Sequence, residues 1–147
     1  METRSDEQLL QDLDGADEYV RSSAAVELAR RMHPRALEAC LRTLDDGAGP
    51  AHADITPSLF CLAAMGMRAW PALLEKLAAP DPMTRLHAER AVGEIGKRQF
   101  GFDGLRWPGG ACERWSAWWQ HVAYRYDADD AERARAIERL RAYRFGA

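Results

Sequence analysis

Three cysteines and four histidines are the side chains of this 147-residue chain with the clearest capacity for nucleophilic or metal chemistry. They are Cys40, Cys61 and Cys112, with His33, His52, His87 and His121. Protein metal sites draw such ligands from closely spaced pairs, and no pair here has that spacing. An odd number of widely separated cysteines in apolar helical contexts indicates free thiols. We therefore expect neither a metal ion nor a cofactor.

The carboxylates and glycines do not form a catalytic motif either. Asp127, Asp129, Asp130 and Glu132 are clustered, which suggests either a cation site or a charged helix N-terminus, and the helix dipole favours the second interpretation. No Gly-x-Ser-x-Gly, Cys-His or phosphate-cradling glycine pattern occurs. No carboxylate sits in a clearly apolar context that would raise its pKa for acid catalysis. We expect a protein that is not an enzyme.

Charge and hydropathy narrow the range of partners. The formal net charge is −3, divided into about −6 before residue 97 and +3 after it. Neither part has the dense basic surface used to bind a phosphate backbone. The longest apolar run, residues 59–67, is too short to span a bilayer. The first residues lack the features of a secretory signal, so we expect a cytoplasmic protein. We expect no membrane partner, and the charge distribution disfavours nucleic acid.

Helix start and stop signals occur along the chain. Starts are predicted at Ser5, Asp17, Pro34, Asp54 or Thr56, Pro71 and Asp81. Stops are predicted near Asp14-Gly15, Met32-His33, Asp45–Gly47, Gly66, Pro80 and Gly96. Gly93, inside the last of these helices, is predicted to permit close approach of a neighbouring helix.

One pattern occurs twice in the first two-thirds of the chain. Leu9-Leu10-x-x-Leu13 followed by Asp17 and Arg21 returns as Leu73-Leu74-x-x-Leu77 followed by Asp81 and Arg85. The distance of 64 residues divides into steps of about 34 and 30 around a divergent middle copy, in which Ile55 replaces the arginine. Recurrence at this period is typical of stacked helical hairpins.

These features resemble the HEAT repeat family, in which an aspartate capping the second helix and an arginine four residues later recur. The resemblance covers roughly residues 6–96 and implies a short α-solenoid of about three helical hairpins. It also implies that Asp17 with Arg21, and Asp81 with Arg85, support the stacking of neighbouring repeats. It indicates little about function, because the family includes transport receptors, phosphatase scaffolds, bilin lyase subunits and DNA-binding repair proteins.

The composition changes after Gly96. Residues 97–126 contain Phe100, Phe102, Trp107, Trp115, Trp118, Trp119, Tyr124 and Tyr126. Trp115, Trp118, Trp119 and Val122 share one helical face in a helix that begins after Gly110. A last helix from about Asp129 carries the apolar stripe Ala136, Ile137, Leu140 and Tyr143. The segment also resembles the C-terminal ends of some bacterial HEAT-like proteins. We expect an aromatic cap on the last hairpin, with a ligand platform as the alternative.

The chain is thus predicted to be a single all-α domain over 1–147, with repeats at 6–96 and capping helices at 97–147. In HEAT-type stacks the second helix of each hairpin lines the concave side. If Val20, Ala24 and Leu28 face the core, helical phase exposes the opposite face. The predicted contact residues there are Tyr19, Val26, Arg30, Phe60, Met83, Leu86, His87 and Arg90. The same phase also exposes Ser22, Ala53 and Thr56.

This mixture of apolar and arginine side chains is typical of a contact surface. We expect a non-catalytic module, an adaptor, scaffold or neutralising partner, that binds another protein. Two structural alternatives remain: the helical phase is displaced by one residue, or the aromatic C-terminal segment folds over the surface. A different functional hypothesis is a HEAT-type lyase subunit that handles a tetrapyrrole or modified side chain, using Cys61 or His87. Nucleic-acid binding is a third, against which the acidic repeat region argues.

Overall fold

The computed structural model describes residues 3–49, 55–122 and 128–146. In these ranges the only regular secondary structure is helical, and there is no strand. The helices are α1 Asp6–Asp12, α2 Glu18–Arg30, α3 Ala36–Arg42, α4 Pro57–Met65, α5 Trp70–Lys76, α6 Pro82–Gln99, α7 Ala111–Val122 and α8 Asp130–Ala142. A short 3₁₀ turn, Gly66–Arg68, joins α4 to α5. No helix in the described ranges has both the length and the apolar character needed to cross a membrane.

Capping side chains set most of the helix starts. At α1, Ser5 accepts a bond of 3.2 Å from the backbone N–H of Gln8, whose side chain accepts one of 2.7 Å from the N–H of Ser5. This is the reciprocal capping box that the sequence predicts. Asp17, Asp81 and Asp129 accept backbone N–H bonds at the starts of α2, α6 and α8. These predicted starts are confirmed because each depends only on residues within one helical turn.

Other predicted boundaries are wrong by a few residues. The third helix begins at Ala36 instead of Pro34, because the N–H of Arg35 bonds to His33 Nδ1 at 3.0 Å and holds a turn. The first helix ends at Asp12, two residues early. The sixth continues to Gln99 instead of ending at Gly96.

The middle copy of the repeat is built differently from its neighbours. Thr56 caps α4 by accepting from the N–H of Leu59 at 3.3 Å, and its hydroxyl donates to the carbonyl of Leu44 at 2.7 Å. Thus Thr56 is fully buried, although helical phase predicted it to be exposed. Ile55, aligned with the repeat arginines, precedes the cap and lies outside the helix. Buried hydroxyl contacts therefore connect α3 to α4 here.

The arginine four residues after a capping aspartate closes the turn in front of its helix. Arg21 donates two bonds of 3.0 Å to the carbonyls five and six residues before it. Arg85 donates bonds of 3.0 and 2.9 Å to the carbonyls at the same relative positions. Arg133, four residues after Asp129, donates to the carbonyl five residues before it at 2.8 Å. This third copy was not predicted, because the repeat pattern recognised in the sequence ends at Gly96.

Arg21 has a further partner in a neighbouring part of the chain. Its guanidinium makes two bonds, of 2.9 and 3.0 Å, to the carboxylate of Asp46 after α3. The bonds of Arg85 to the carbonyls of Ala79 and Pro80 stay within its own turn. The bond between Arg21 and Asp46 thus joins the first helix pair to the second.

The helices pack as neighbouring pairs, α1 with α2, α3 with α4 and α5 with α6. The second helices also contact one another, α2 against α4 and α4 against α6. Leu28 on α2 and Val92 on α6, which the repeat distance of 64 residues makes equivalent, are both fully buried. The three second helices therefore form a continuous row with a shared apolar core.

The C-terminal helices cover the end of this row. Helix α7 packs on α6, and α8 packs on α5 and α7. Trp118 is 6% exposed, with ring centroids 5.8 Å from Phe100 and 5.2 Å from Phe145. The close helix approach is at Gly96, where an added Cβ would lie 2.4 Å from the Trp118 ring. At Gly93, where the sequence predicted it, a Cβ would be 3.6 Å from Trp119, an ordinary contact.

Gly96→Ala is expected to destabilise the protein by about 1–3 kcal/mol, because the new methyl group would overlap Trp118 and displace a helix. Gly93→Ala is the matched control in the same helix. Its methyl group fits, and alanine favours a helix over glycine by up to about 1 kcal/mol. Urea unfolding followed by circular dichroism measures both variants. Equal free-energy changes would contradict the close packing at Gly96.

Candidate functional site

The eight predicted contact residues lie on α2, α4 and α6 and differ in exposure. Five are exposed: Tyr19, Arg30, Phe60, Met83 and Arg90. Val26 and Leu86 are half-buried. Among the large apolar members, the exposed fraction is 58% for Tyr19, 56% for Phe60 and 38% for Met83. These three side chains present apolar surface to solvent on three helices that contact in a row.

The predicted helical phase of α2 needs a correction at its first turns. Val20, expected in the core, is 39% exposed, and Ser22, expected on the surface, is 3% exposed. The loop after α3 packs on Ser22, since a Cβ added to Gly47 would lie 2.6 Å from its Oγ. Ala24 and Leu28 are buried as predicted. Ala53, assigned to the same surface, lies outside the described residues.

His87 is a core residue, and its assignment to the contact surface is wrong. It is 1% exposed, and its Nδ1 lies 2.6 Å from Oδ1 of Asp45. Thr84 donates its hydroxyl to the other oxygen of the same carboxylate. These contacts join the end of α3 to α6. Sequence reasoning missed them because Asp45 is 42 residues from His87 and looked like a simple helix stop.

Asp45 has a shifted pKa as a result. Partial burial alone would raise it, but the hydrogen bonds from His87 and Thr84 and the nearby charge of Lys76 hold the pKa of Asp45 below its ordinary value. The carboxylate is therefore stabilised in its charged form in the folded protein.

Two adjoining grooves lie between α2 and α4 and share Val26 and Arg30. The first, of about 580 Å³, reaches from the N-terminal segment to Pro57 at the start of α4. The second, of about 500 Å³, reaches to Cys61 and Arg68. The second groove thus brings together predicted contact residues, Val26 and Arg30, and a residue that was not predicted, Arg68. No sequence signal indicated Arg68, because α4 ends at its C-cap, Gly66, with φ of 63°, and its helical phase does not continue beyond that residue.

The thiol of Cys61 is half-buried in the wall of the second groove. Hydrogen bonding with the neighbouring Cys40 thiol lowers the pKa of Cys61, while partial burial acts in the opposite direction. Cys61 and His87 are the two groups considered for tetrapyrrole chemistry. Cys61 borders a cavity, whereas His87 is buried against Asp45.

Within the part of the chain that the structure describes, C-terminal aromatic side chains border one end of the predicted surface. Arg90 lines a small groove of about 120 Å³ between α6 and α7, beside Trp115 and Trp119. The two indole rings are stacked with centroids 6.2 Å apart, and the ammonium of Lys97 lies 5.2 Å from the Trp115 ring centroid. The faces of these rings thus have neighbouring side chains as partners.

The acidic cluster before α8 is divided between helix capping and ion pairing. Asp129 caps the helix, and Asp130 accepts a bond of 2.6 Å from Arg133. Asp127, Tyr124 and Tyr126 lie outside the described residues. Across the ranges that the structure describes, no group of three or more His, Cys, Asp or Glu residues is arranged to hold a metal ion.

No protein-family model matches the chain, and the searches of curated proteins and of solved structures found no match either.

Asp45→Asn is expected to destabilise the protein by about 1 kcal/mol near neutral pH, because the hydrogen bonds to a charged, partly exposed acceptor are weakened. Since the pKa of Asp45 is lowered by folding, its stabilising effect is present above the unfolded pKa of about 4 and is lost as the pH falls through the folded value. The difference between native and variant proteins should therefore shrink on acidification, as measured by urea unfolding at several pH values.

Asp14→Asn is the control for this experiment, because the Asp14 side chain is 73% exposed and pairs with Arg42 at the surface. It should change stability by less than about 0.5 kcal/mol. A pH-independent loss of stability in Asp45→Asn would contradict the role of its charge.

Proposed function

We propose that this chain is a non-catalytic interaction module that binds another protein through the exposed face of α2, α4 and α6. One observation carries the proposal. Among the described residues, every exposed large hydrophobic side chain on an α-helix belongs to these three helices: Tyr19, Val20, Phe60 and Met83. The remaining exposed ones, Met32, Met67 and Leu105, lie in turns and loops.

The chemistry of this face supports a protein partner. Tyrosine, phenylalanine, methionine and arginine are enriched in the cores of protein interfaces, whereas lysine and glutamate are depleted there. Binding energy is usually concentrated in a few such side chains, which are surrounded by weaker contacts. Tyr19 and Phe60 would serve as apolar anchors, and Arg30 and Arg90 would supply directional hydrogen bonds.

A short HEAT-like solenoid over residues 6–96 is the architecture that we propose for the module. The row of contacting second helices and the repeated turn-closing arginines support it. In such an array the row would line the concave side, and the module would act as an adaptor, scaffold or neutralising partner. A cytoplasmic, bacterial setting completes the proposal, since three free cysteines suit a reducing compartment.

Replacing both Tyr19 and Phe60 with alanine is expected to weaken partner binding by roughly tenfold to a hundredfold, if each anchor contributes about 1 kcal/mol or somewhat more. The fold should be retained because both side chains are more than half exposed. The native partner would be identified by cross-linking in cells, and its affinity for native and variant proteins measured by titration calorimetry.

Leu105→Ala is the matched control, since Leu105 is 89% exposed and lies in the loop between α6 and α7, outside the proposed face. It should leave the affinity unchanged. Full affinity in the folded double variant would refute the proposed surface, as would equal losses in the double variant and the control.

A further inference from the structure

The second groove between α2 and α4 has an apolar wall. Its volume of about 500 Å³ lies within the range of about 300–1,000 Å³ that is usual for small-molecule sites. The wall contains Val26, Ala29, Ala36, Ala64 and Met65. Among the residues that the structure describes, the groove lining contains neither aspartate nor glutamate, although the chain as a whole is acidic. The groove therefore favours a ligand with an apolar body.

The rim of the same groove is positively charged. The guanidinium groups of Arg30 and Arg68 supply the charge, while His33, whose Nδ1 accepts the N–H of Arg35, also lines the groove. Arg30 pairs with Glu27, which belongs to the neighbouring groove. Arg68 is exposed and forms no ion pair with any residue that the structure describes. A carboxylate at this rim would supply the planar, two-oxygen partner that a guanidinium binds best.

Met32 stands at the mouth of the groove in a strained conformation. It follows the end of α2 with φ of 56°, where the N–H of His33 bonds back to the carbonyl of Leu28 at 2.9 Å. Glycine is the usual residue at this position of a helix C-terminus, because other residues pay a steric cost there. Met32 is also 84% exposed, so packing in the core does not explain it. Its flexible thioether side chain suits contact with an alkyl chain.

We propose that this groove binds a single-chain aliphatic carboxylate of medium length, with the alkyl chain between α2 and α4 and the carboxylate on Arg68. The site goes beyond the proposed protein-binding face, because its ligand is a small molecule and its anchoring cation, Arg68, is not among the predicted contact residues.

Titration calorimetry with decanoate tests the proposal on the full chain. Decanoate should bind saturably at one site, and decylammonium should bind at least about tenfold more weakly, because its charge is repelled by the arginines. Affinity should rise about fourfold per added methylene from octanoate to decanoate, since each buried methylene strengthens binding by a constant increment. Equal affinity for decanoate and decylammonium would overturn the proposal, as would a lack of saturable binding.

Two variants locate the site. Arg68→Gln should weaken decanoate binding about tenfold, whereas Arg98→Gln, at an exposed arginine on α6, should leave it unchanged. Ala64→Trp should fill the groove and reduce binding below detection while keeping the fold, because Ala64 is exposed. Equal effects of the two arginine substitutions would place the ligand elsewhere and overturn the assignment.

Alkylation of Cys61 by N-ethylmaleimide gives a second readout. Decanoate should slow modification of Cys61 in the groove and leave that of the exposed Cys112 unchanged, as followed by mass spectrometry of the digested protein. Binding without protection of Cys61 would refute the site. These results are independent of the Tyr19 and Phe60 variant, so failure here and failure of the protein-binding proposal can be told apart.

Discussion

The close packing of α6 against its neighbours is the constraint on which the rest of the structure depends. This helix, Pro82–Gln99, contacts α4, α5 and α7. Its buried positions include the small residues Ala88, Ala91 and Gly96, which let neighbouring helices approach. Trp118 lies against the backbone of Gly96, and the buried His87 holds Asp45 from the end of α3. A single helix therefore joins the row of second helices to the aromatic C-terminal segment.

Helix starts are stabilised in two different ways, and the difference affects which side chain is exposed on the predicted contact surface. In α2 and α6 the fourth residue after the cap is Arg21 or Arg85, whose side chain folds back onto the preceding turn. In α4 the cap is Thr56, and the fourth residue after it is Phe60. The buried bond from Thr56 to Leu44 secures the start of α4 without an arginine. That position is therefore available for an exposed aromatic ring.

The two proposed sites adjoin along α2. Val26 and Arg30 belong to the predicted protein-binding face and also line the carboxylate groove. Arg30 is held by Glu27, whose pKa is lowered to about 2, chiefly by hydrogen bonds from Arg30 and Arg31. The guanidinium groups of Arg30 and Arg31 thus share one carboxylate at the boundary between the two sites. A ligand in the groove would thus lie directly beside a bound protein.

The sequence by itself determined the features that depend on residues within about one helical turn. The caps at Ser5, Asp17, Asp81 and Asp129 and the tryptophan stripe of α7 belong to this class, because capping bonds and helical periodicity are local. The exposure of Tyr19, Phe60 and Met83 also followed from periodicity. Only the tertiary structure decided which side chains the loops and distant helices cover. It buried His87 against Asp45 and Ser22 beneath Gly47, placed the close approach at Gly96, and brought Arg68 to the groove beside α2. Burial and pairing between residues far apart in sequence depend on how the helices pack, which helical phase alone does not specify.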